Sequence, residues 1–435
     1  MRGRPRPGSR QGQRQPAKGP AREIELVIDK LGSEGVGVAR LDGRPVLVPG
    51  SLPGEQVRVR VMGGAADLLD VIAPSPSRIE PACRHFGTCG GCALQHLAWQ
   101  PYLDFKRDLV VDALRRQGLA DVPVEAVAPS PPESRRRATL EAKRTSGGVL
   151  LGFHARASHQ IVDLGECPVL LPDLARLLPS LRTLLATLLL PGGSATVLLG
   201  QGPGGIDLGL ALAAAPDLEQ LERLTAFADA QDLARLWWRV GDMAPVPAAQ
   251  RRPLGHRFGD VPVEPPAGGF LQATADGEAA LTAEVVAALA GAERVADLFA
   301  GCGTFGLALG ARALLHAVEG DAAALGALTA AARRAGLGFV STERRDLDAR
   351  PLLAAELRRF DAVLFDPPRA GAKAQVEQLA KSTVPRVIGV SCNPATFARD
   401  ARILVDGGYH LERVLPVDQF VWSPHVELVG RFRRT

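Results

Sequence analysis

From Glu23 to about Pro74 apolar and polar residues alternate in short runs, "EIELVIDKL", "GVGVARL", "RPVLVPG" and "EQVRVRVM", each closed by glycine or proline. A period of two with such punctuation predicts short strands and a small β-barrel, OB-like in kind. Barrels of this sort often carry single-stranded nucleic acid. The period turns helical in "WQPYLDFKRDLVVDALRRQGL", where Leu103, Leu109, Val110 and Leu114 share a face. Between about Val122 and Pro262, "ATVLLGQG" and "DLGLALAAA" read as strands and "LPDLARLLPSLRTLLATLLL" as a helix, so a mixed α+β region is expected. From Gly268 onward strands and helices alternate: "ADGEAALTAEVVAALA", the strand "RVADLFAG", a glycine turn, the helix "TFGLALGARAL", then "LHAVEGD", an alanine-rich helix, "FDAVLFDPP", another helix and "RVIGVSCNP". That rhythm predicts an α/β fold with a mostly parallel, doubly wound sheet. The divisions are a tail, 1–22; a barrel, 23–75; a central region, 76–262; and the wound domain, 263–435, on which the helix over about 98–119 is expected to pack.

Composition adds limits. A chain of 435 residues calls for two or three domains. Hydrophobic content of 46% and charged content of 23% are ordinary for a globular protein, and a net charge of +4 decides little. Its distribution says more: residues 1–22 are rich in Arg, Pro, Gly and Gln with no acidic residue. They predict a disordered basic tail able to touch nucleic acid. No apolar run is long enough for a bilayer, and the first residues lack the apolar segment of a signal peptide. Six cysteines in so long a chain are not a disulfide scaffold, so a cytoplasmic protein, taken as a monomer, is expected.

Four constellations carry candidate chemistry. In "VADLFAGCGTFGLALG" a strand ends near Phe299, and Gly301 and Gly303 open a turn whose backbone can approach a ligand closely. Glu319, about 20 residues on, follows the next strand, where a carboxylate takes ribose hydroxyls. Gly301, Gly303 and Gly306 also fit the dinucleotide spacing, which keeps a nicotinamide enzyme open; Asp297 at the strand end favours S-adenosylmethionine. In "FDPPRAG", Asp366 precedes two prolines that stiffen a loop at the ligand-binding edge of the sheet. Cys392 ends the next strand and reaches that same edge, while Glu427 lies in "SPHVELVGRF". A thiol and a carboxylate so placed suit covalent catalysis and proton removal, whereas a lone cysteine at a strand end is more often structural. Finally, Cys83, Cys89 and Cys92 lie within ten residues, with Cys167 downstream. Four thiolates suit zinc or an iron–sulfur cluster, and spacing does not separate the two.

Together these segments resemble the RNA 5-methyluridine methyltransferase family, in its iron–sulfur branch acting on large-subunit ribosomal RNA. "ELVIDKLGSEGVGVARLDGRPVLVPGSLPGEQVRVRV" is similar to that family's TRAM barrel, and "CRHFGTCGGCALQH" with Cys167 to its 4Fe-4S site. "FLQ", "DLFAGCGTFGL", "FDPPRAG", "SCNPATFARD" and "HVELV" follow in family order. The resemblance implies a methyltransferase using S-adenosylmethionine on C5 of a uridine in RNA, 23S ribosomal RNA before transfer RNA. It makes Cys392 the nucleophile and Glu427 the base. Gln272, Phe299, Thr304, Glu319, Asp346 and Asp366 fall where the family meets donor or base, and Phe270 where an aromatic stacks on the flipped uracil. Cys83, Cys89, Cys92 and Cys167 become the cluster ligands. The family often has Asn where Thr274, Thr304 and Asp346 stand here. Basic "ESRRRATLEAKR" is expected to contact phosphates. Two competitors remain: an amino-group methylase, for which Arg369 stands where a stacking aromatic is needed, and a non-catalytic RNA-binding protein.

Overall fold

The computed structural model describes residues 22–62 and 65–434, and these divide into two compact units, the first ending at Ile79 and the second running from Glu80. The expected tail, apart from Arg22, lies outside the described residues.

In the first unit β1 (Arg22–Leu31), β2 (Gly37–Leu41), β3 (Arg44–Val48), β4 (Gln56–Met62) and β5 (Ala65–Ala73) close a barrel in the order β1-β2-β3-β5-β4. Arg22, assigned to the tail on composition, already pairs with Val61 as a barrel residue. Alternation sends Ile28, Ala39, Val46, Val48, Val57 and Val59 inward and leaves charged neighbours outside. Glu55 is buried beneath the barrel wall. Burial would raise its carboxyl, but hydrogen bonds from Arg78 and from the Leu52 and Ser75 amides outweigh that and hold it below its usual value.

The second unit holds two sheets. Its chain runs through α1 (Trp99–Arg116), β6 (Ala128–Pro129), β7 (Arg137–Thr145), β8 (Gly148–Gly152), α2 (Pro172–Leu188), β9 (Ser194–Gly202), β10 (Gly205–Leu212), α3 (Leu218–Ala230), β11 (Arg235–Val240) and β12 (Val246–Gln250). A hairpin of β13 (His256–Phe258) and β14 (Val261–Val263) leads to α4 (Ala275–Ala288), β15 (Arg294–Leu298), β16 (Leu314–Glu319), α5 (Ala322–Arg334), β17 (Val340–Arg344) and α6 (Ala354–Leu357). The chain closes with β18 (Ala362–Phe365), α7 (Lys373–Ala380), β19 (Arg386–Ser391), α8 (Pro394–Asp406), β20 (Tyr409–Asp418) and β21 (Glu427–Arg434). The central sheet has the order β12-β11-β10-β9-β7-β8, and the C-terminal sheet the order β17-β16-β15-β18-β19-β21-β20-β6.

In the C-terminal sheet β15 to β19 are parallel and β21 is antiparallel to β19. Both faces are covered. α1, α7 and α8 pack Val110, Leu114, Val376 and Leu404 against Val363, Phe365 and Val387. On the other face α4 and α5 set Leu281, Val285 and Leu328 against Val295, Leu364 and Ile388. This is the doubly wound arrangement. Among the described residues no helix is long and apolar enough to cross a membrane.

Two local expectations fail. The helix read over "TFGLALGARAL" is only a 3-10 stretch, Leu307–Arg312, broken where Gly310 takes φ 59° and ψ −149°. Glycines at 303, 306 and 310 leave too little helical propensity to propagate a turn. In α1 the buried stripe is Tyr102, Lys106, Val110, Ala113 and Leu114, with Leu103 and Leu109 only half-buried. A lysine sits where apolar spacing alone puts leucine.

Candidate active site

The parallel strands end at one edge, and the chemistry-bearing residues collect there. β15 ends beside Asp297 and Phe299, and Phe299 adopts φ +60°, a left-handed conformation costly for a phenylalanine. Asp366 follows β18, whose Phe365 pairs with Leu298. Cys392 occupies the single position between β19 and Asn393, which caps α8 by accepting from the Ala395 amide at 3.1 Å, with Pro394 at the first helical position. Asn393 Nδ2 and the Thr396 hydroxyl donate to the Arg369 carbonyl at 3.2 and 3.3 Å, tying the Asp366 loop to α8. β21 runs antiparallel and Ser391 pairs with Leu428, so Glu427 enters from the same edge, beside Cys392.

A cavity of about 730 Å³ joins these positions. Cys392, Glu427, Asp366, Phe270, Gln272 and Phe299 line it, as do Gly301, Thr304, Glu319 and Asp346. Gly303 does not: at φ +90° it packs beneath the turn, where a Cβ would lie 2.8 Å from Leu307. Nor does an α-helix follow the turn to offer its amides. The Gly301 and Gly306 amides are spent on Glu319 Oε2 at 2.9 Å and Asp297 Oδ2 at 3.1 Å, so the pyrophosphate cradle of a nicotinamide enzyme is not built. Glu319 is fixed on its other oxygen by the Asp321 amide at 2.7 Å and faces the cavity. Asp346 turns inward to accept from the Asp348 and Ala349 amides, both at 3.1 Å.

The electrostatics are those of crowded, buried carboxylates. Burial, then the charge of Asp366, pushes Asp297 up to about 8. Asp366 is raised by burial and by Glu319, and Glu427 by burial and by Asp366, against a hydrogen bond from Gln419. Cys392 is pushed up to about 11 by burial and then by Glu427 and Asp366, with Arg369 pulling the other way. The cavity therefore holds a thiol, and it stabilises added positive charge. Phe270 is 63% exposed at the rim, and the Arg137 guanidinium lies 4.5 Å from its ring centroid.

Sequence reasoning missed Gln419. Its side chain is 1% exposed and links the site: Nε2 donates to Glu427 Oε2 at 2.9 Å and to Gln272 Oε1 at 2.6 Å, while Oε1 accepts from the Ala273 amide at 2.8 Å. The loop bearing it is clamped from α1. Lys106 meets Asp418 at 2.7 Å, both fully buried, and donates to the Phe420 carbonyl at 3.2 Å; Tyr102 also bonds Asp418 and receives the Trp422 amide at 2.8 Å. The only hint in the sequence is a lysine and a tyrosine on the apolar stripe of α1. The basic segment divides its roles. Arg135 and Arg137 line the cavity, but Arg136 is buried, pairs with Glu278 at 2.5 Å and bonds the Gln272 carbonyl. Arg144 holds the Leu189 carbonyl at the end of α2. Both of these are bonded within the protein.

Cys83, Cys89, Cys92 and Cys167 gather elsewhere in this unit. Cys92 is pushed up to about 12 by burial, and then by Cys167, Cys89 and Cys83, against a hydrogen bond from Gln95. Cys167 is likewise raised by burial, against the Val169 and Leu170 amides, and by Cys83 and Cys89. Four thiols thus lie within electrostatic reach of one another. Among the described residues no group of three or more His, Cys, Asp or Glu side chains is arranged to hold a single metal ion. Cys92 and Cys167 pack against Val169, Val421 and Trp422, and the Ala93 and Leu94 amides donate to the Trp422 carbonyl at 2.9 and 3.0 Å.

Comparison with known proteins is consistent along the chain. Residues 344–432 match the tRNA (Uracil-5-)-methyltransferase family model and residues 20–64 the TRAM domain model. An uncharacterized RNA methyltransferase of Brucella suis is 47% identical over 408 residues, 93% of this chain and 97% of the relative. The 23S rRNA (uracil(1939)-C(5))-methyltransferase RlmD of Chromohalobacter salexigens is 38% identical over 92% of this chain and 87% of its own. Among solved structures, the Pyrococcus abyssi tRNA (uracil-54, C5)-methyltransferase with S-adenosyl-L-homocysteine superposes with a TM-score of 0.72 at 25% identity, covering 94% of this chain and all of that one.

Proposed function

Because the chain belongs to the RNA (uracil-5-)-methyltransferase family, we propose that it methylates C5 of one uridine in RNA, with Cys392 as nucleophile, Glu427 as base and S-adenosylmethionine as donor. The observation that carries this reading is the meeting of Cys392, Asp366 and Glu427 in one cavity at the strand ends.

The uracil must leave its stack to enter, at a cost of a few kcal/mol. Stacking on Phe270, about 1–3 kcal/mol per base, offsets much of it. Asp366 accepts from the base edge. The Cys392 thiol gives its proton to solvent, and its sulfur bonds to C6 while the C5=C6 electron pair moves into an enolate. C5 then bonds to the donor methyl, whose bond to sulfur breaks with the pair remaining on sulfur. Glu427 takes the C5 proton, the S–C6 bond breaks and the ring double bond returns. The donor supplies a methyl group and a positive charge, which suits a cavity of raised carboxylates. Glu319 is aimed to take ribose hydroxyls, while Gln272, Phe299, Gly301, Thr304 and Asp346 form the surrounding wall.

A 23S ribosomal uridine is the proposed target, supported by the 38% identical ribosomal relative over most of both chains. The cysteine group is proposed to hold a 4Fe-4S cluster on Cys83, Cys89, Cys92 and Cys167. The reading is supported by four thiols that sense one another's charge, since a cluster takes four thiolates. Its role is to stiffen the fold, since methyl transfer moves no electrons.

Tritiated methyl donor with full-length 23S rRNA or bulk transfer RNA separates the targets. Label in one mapped 23S uridine as 5-methyluridine supports the reading. Label only in transfer RNA moves the target, and label in neither removes the reading.

A further inference from the structure

The central sheet has helices on one face only. α2 and α3 pack on the side carrying Leu140, Val197, Leu199 and Leu208. Strand registry places the opposite side in two rows, Arg137–Gly200–Asp207–Arg235 and Thr139–Leu198–Gly209–Trp237. The ring of Trp237 fills the space over Gly209, but Gly200 stays open: a Cβ there would meet nothing nearer than Asp207 Cβ at 3.6 Å. A pocket of about 260 Å³ stands over this glycine, roofed by the segment through Leu254, His256 and Gly268. Arg135, Arg137 and Leu271 line both this pocket and the catalytic cavity, so the two share a wall.

The pocket also contains an unmet polar group. His256 is 3% exposed, and its Nε2 is buried without a hydrogen-bond partner. Buried polar atoms without partners are costly, and a ligand with matching edges removes that cost. Burial, then Arg136 and Arg235, lowers His256 to about 4, so its ring is neutral and offers a hydrogen bond, not a charge. The two arginines on the common wall each keep N–H groups beyond those given to the Leu271 and Arg137 carbonyls, suited to a phosphate between two bases.

We propose that this pocket is a second nucleotide subsite, taking a nucleobase of the same RNA strand next to the target uridine. A flat glycine floor, one unmet imidazole edge and a basic wall shared with the first cavity suit a neutral heterocycle joined by phosphate to the flipped uracil. This rests on the RNA-methylation reading and adds to it that the enzyme reads a neighbour through the central sheet.

The test is a binding cycle with the full chain. One probe is a labelled RNA oligonucleotide carrying a single 5-fluorouridine. Two others lack the base immediately 5′ or 3′ of it. Dissociation constants are measured by anisotropy for wild type and for Gly200→Val, whose side chain fills the hollow; Gly200→Ala, whose Cβ meets nothing nearer than 3.6 Å, is the milder variant, and circular dichroism checks folding. Wild type is expected to lose about fivefold or more on removal of one neighbouring base, the lower end of what one base contributes. Gly200→Val should show that loss on intact RNA and no further loss on the matching abasic RNA, and Gly200→Ala the same pattern more weakly. Losses that multiply, or variants that bind intact RNA like wild type, overturn the subsite. If Gly200→Val does not fold, the Gly200→Ala cycle decides by the same criterion. Binding needs no chemistry, so absence of covalent adduct in every sample counts against the methyl-transfer reading alone.

Discussion

Cys392 and Cys92 are both free thiols raised by burial, to about 11 and about 12, yet their next neighbours differ in kind. Cys392 faces two carboxylates and an arginine on the wall of a ligand-sized cavity. Cys92 faces three other cysteines and packs against Val169, Val421 and Trp422. Burial alone therefore does not mark a reactive cysteine. What separates them is whether the neighbours are carboxylates beside a cavity or only other thiols. The two segments are nevertheless joined by hydrogen bonds, because Trp422, held by the segment after Cys92, belongs to the loop between Gln419 and Glu427.

The largest effect belongs to the proposed nucleophile. Cys392→Ala should lower methyl transfer on the order of 10⁴-fold or more while leaving bound iron and thermal midpoint unchanged. A variant keeping a tenth of wild-type turnover would break the comparison. Next comes Glu427→Gln, expected to slow turnover roughly 10²–10⁴-fold while a methylated RNA adduct accumulates, readable as a slow-migrating band. Cys92→Ser, purified without oxygen, should lose the brown colour and about four irons and melt earlier. Its remaining folded fraction should still form the Cys392 adduct. Stoichiometric zinc in wild type, with no iron, would reassign that site.

Smaller effects come from the carboxylates. Asp366→Asn removes a charge that disfavours the thiolate. The rising limb of adduct formation should then move to lower pH by roughly 1 unit, even as the maximal rate falls. Asp297 is the smallest case. Its folded value of about 8 lies above the usual value of 3.8, so its stabilising contribution is complete only below about pH 4, falls steadily as pH rises, and is gone once pH passes about 8. Asp297→Asn should therefore gain on wild type as pH rises, its melting advantage at pH 9 exceeding that at pH 5 by at least about 2–4 °C. An equal difference at both values would mean the carboxyl is not what titrates.

Much of the candidate edge is legible because strands, glycines and prolines announce where loops begin. "RVIGVSCNP" and "FDPPRAG" each put a candidate residue one step past an apolar run, and parallel strands send such residues to one side. Polar burial was illegible. Gln419 lies in a loop without periodicity and Lys106 reads as an interruption of an apolar stripe, because partners far along the chain satisfy them. Arg136 differs from its neighbours Arg135 and Arg137 only in which way its strand position faces. The helix expected over "TFGLALGARAL" failed because Gly306 and Gly310 outweighed its apolar spacing.

The central claim is a bond between the sulfur of residue 392 and C6 of a uridine. Wild-type protein, S-adenosylmethionine and an RNA containing 5-fluorouridine at the mapped target should give a denaturation-resistant complex. Digested and sequenced by mass spectrometry, it should carry a methylated fluorouridine on the peptide that includes Cys392. Turnover of the normal RNA without any such adduct, or an adduct on another cysteine, would contradict the account.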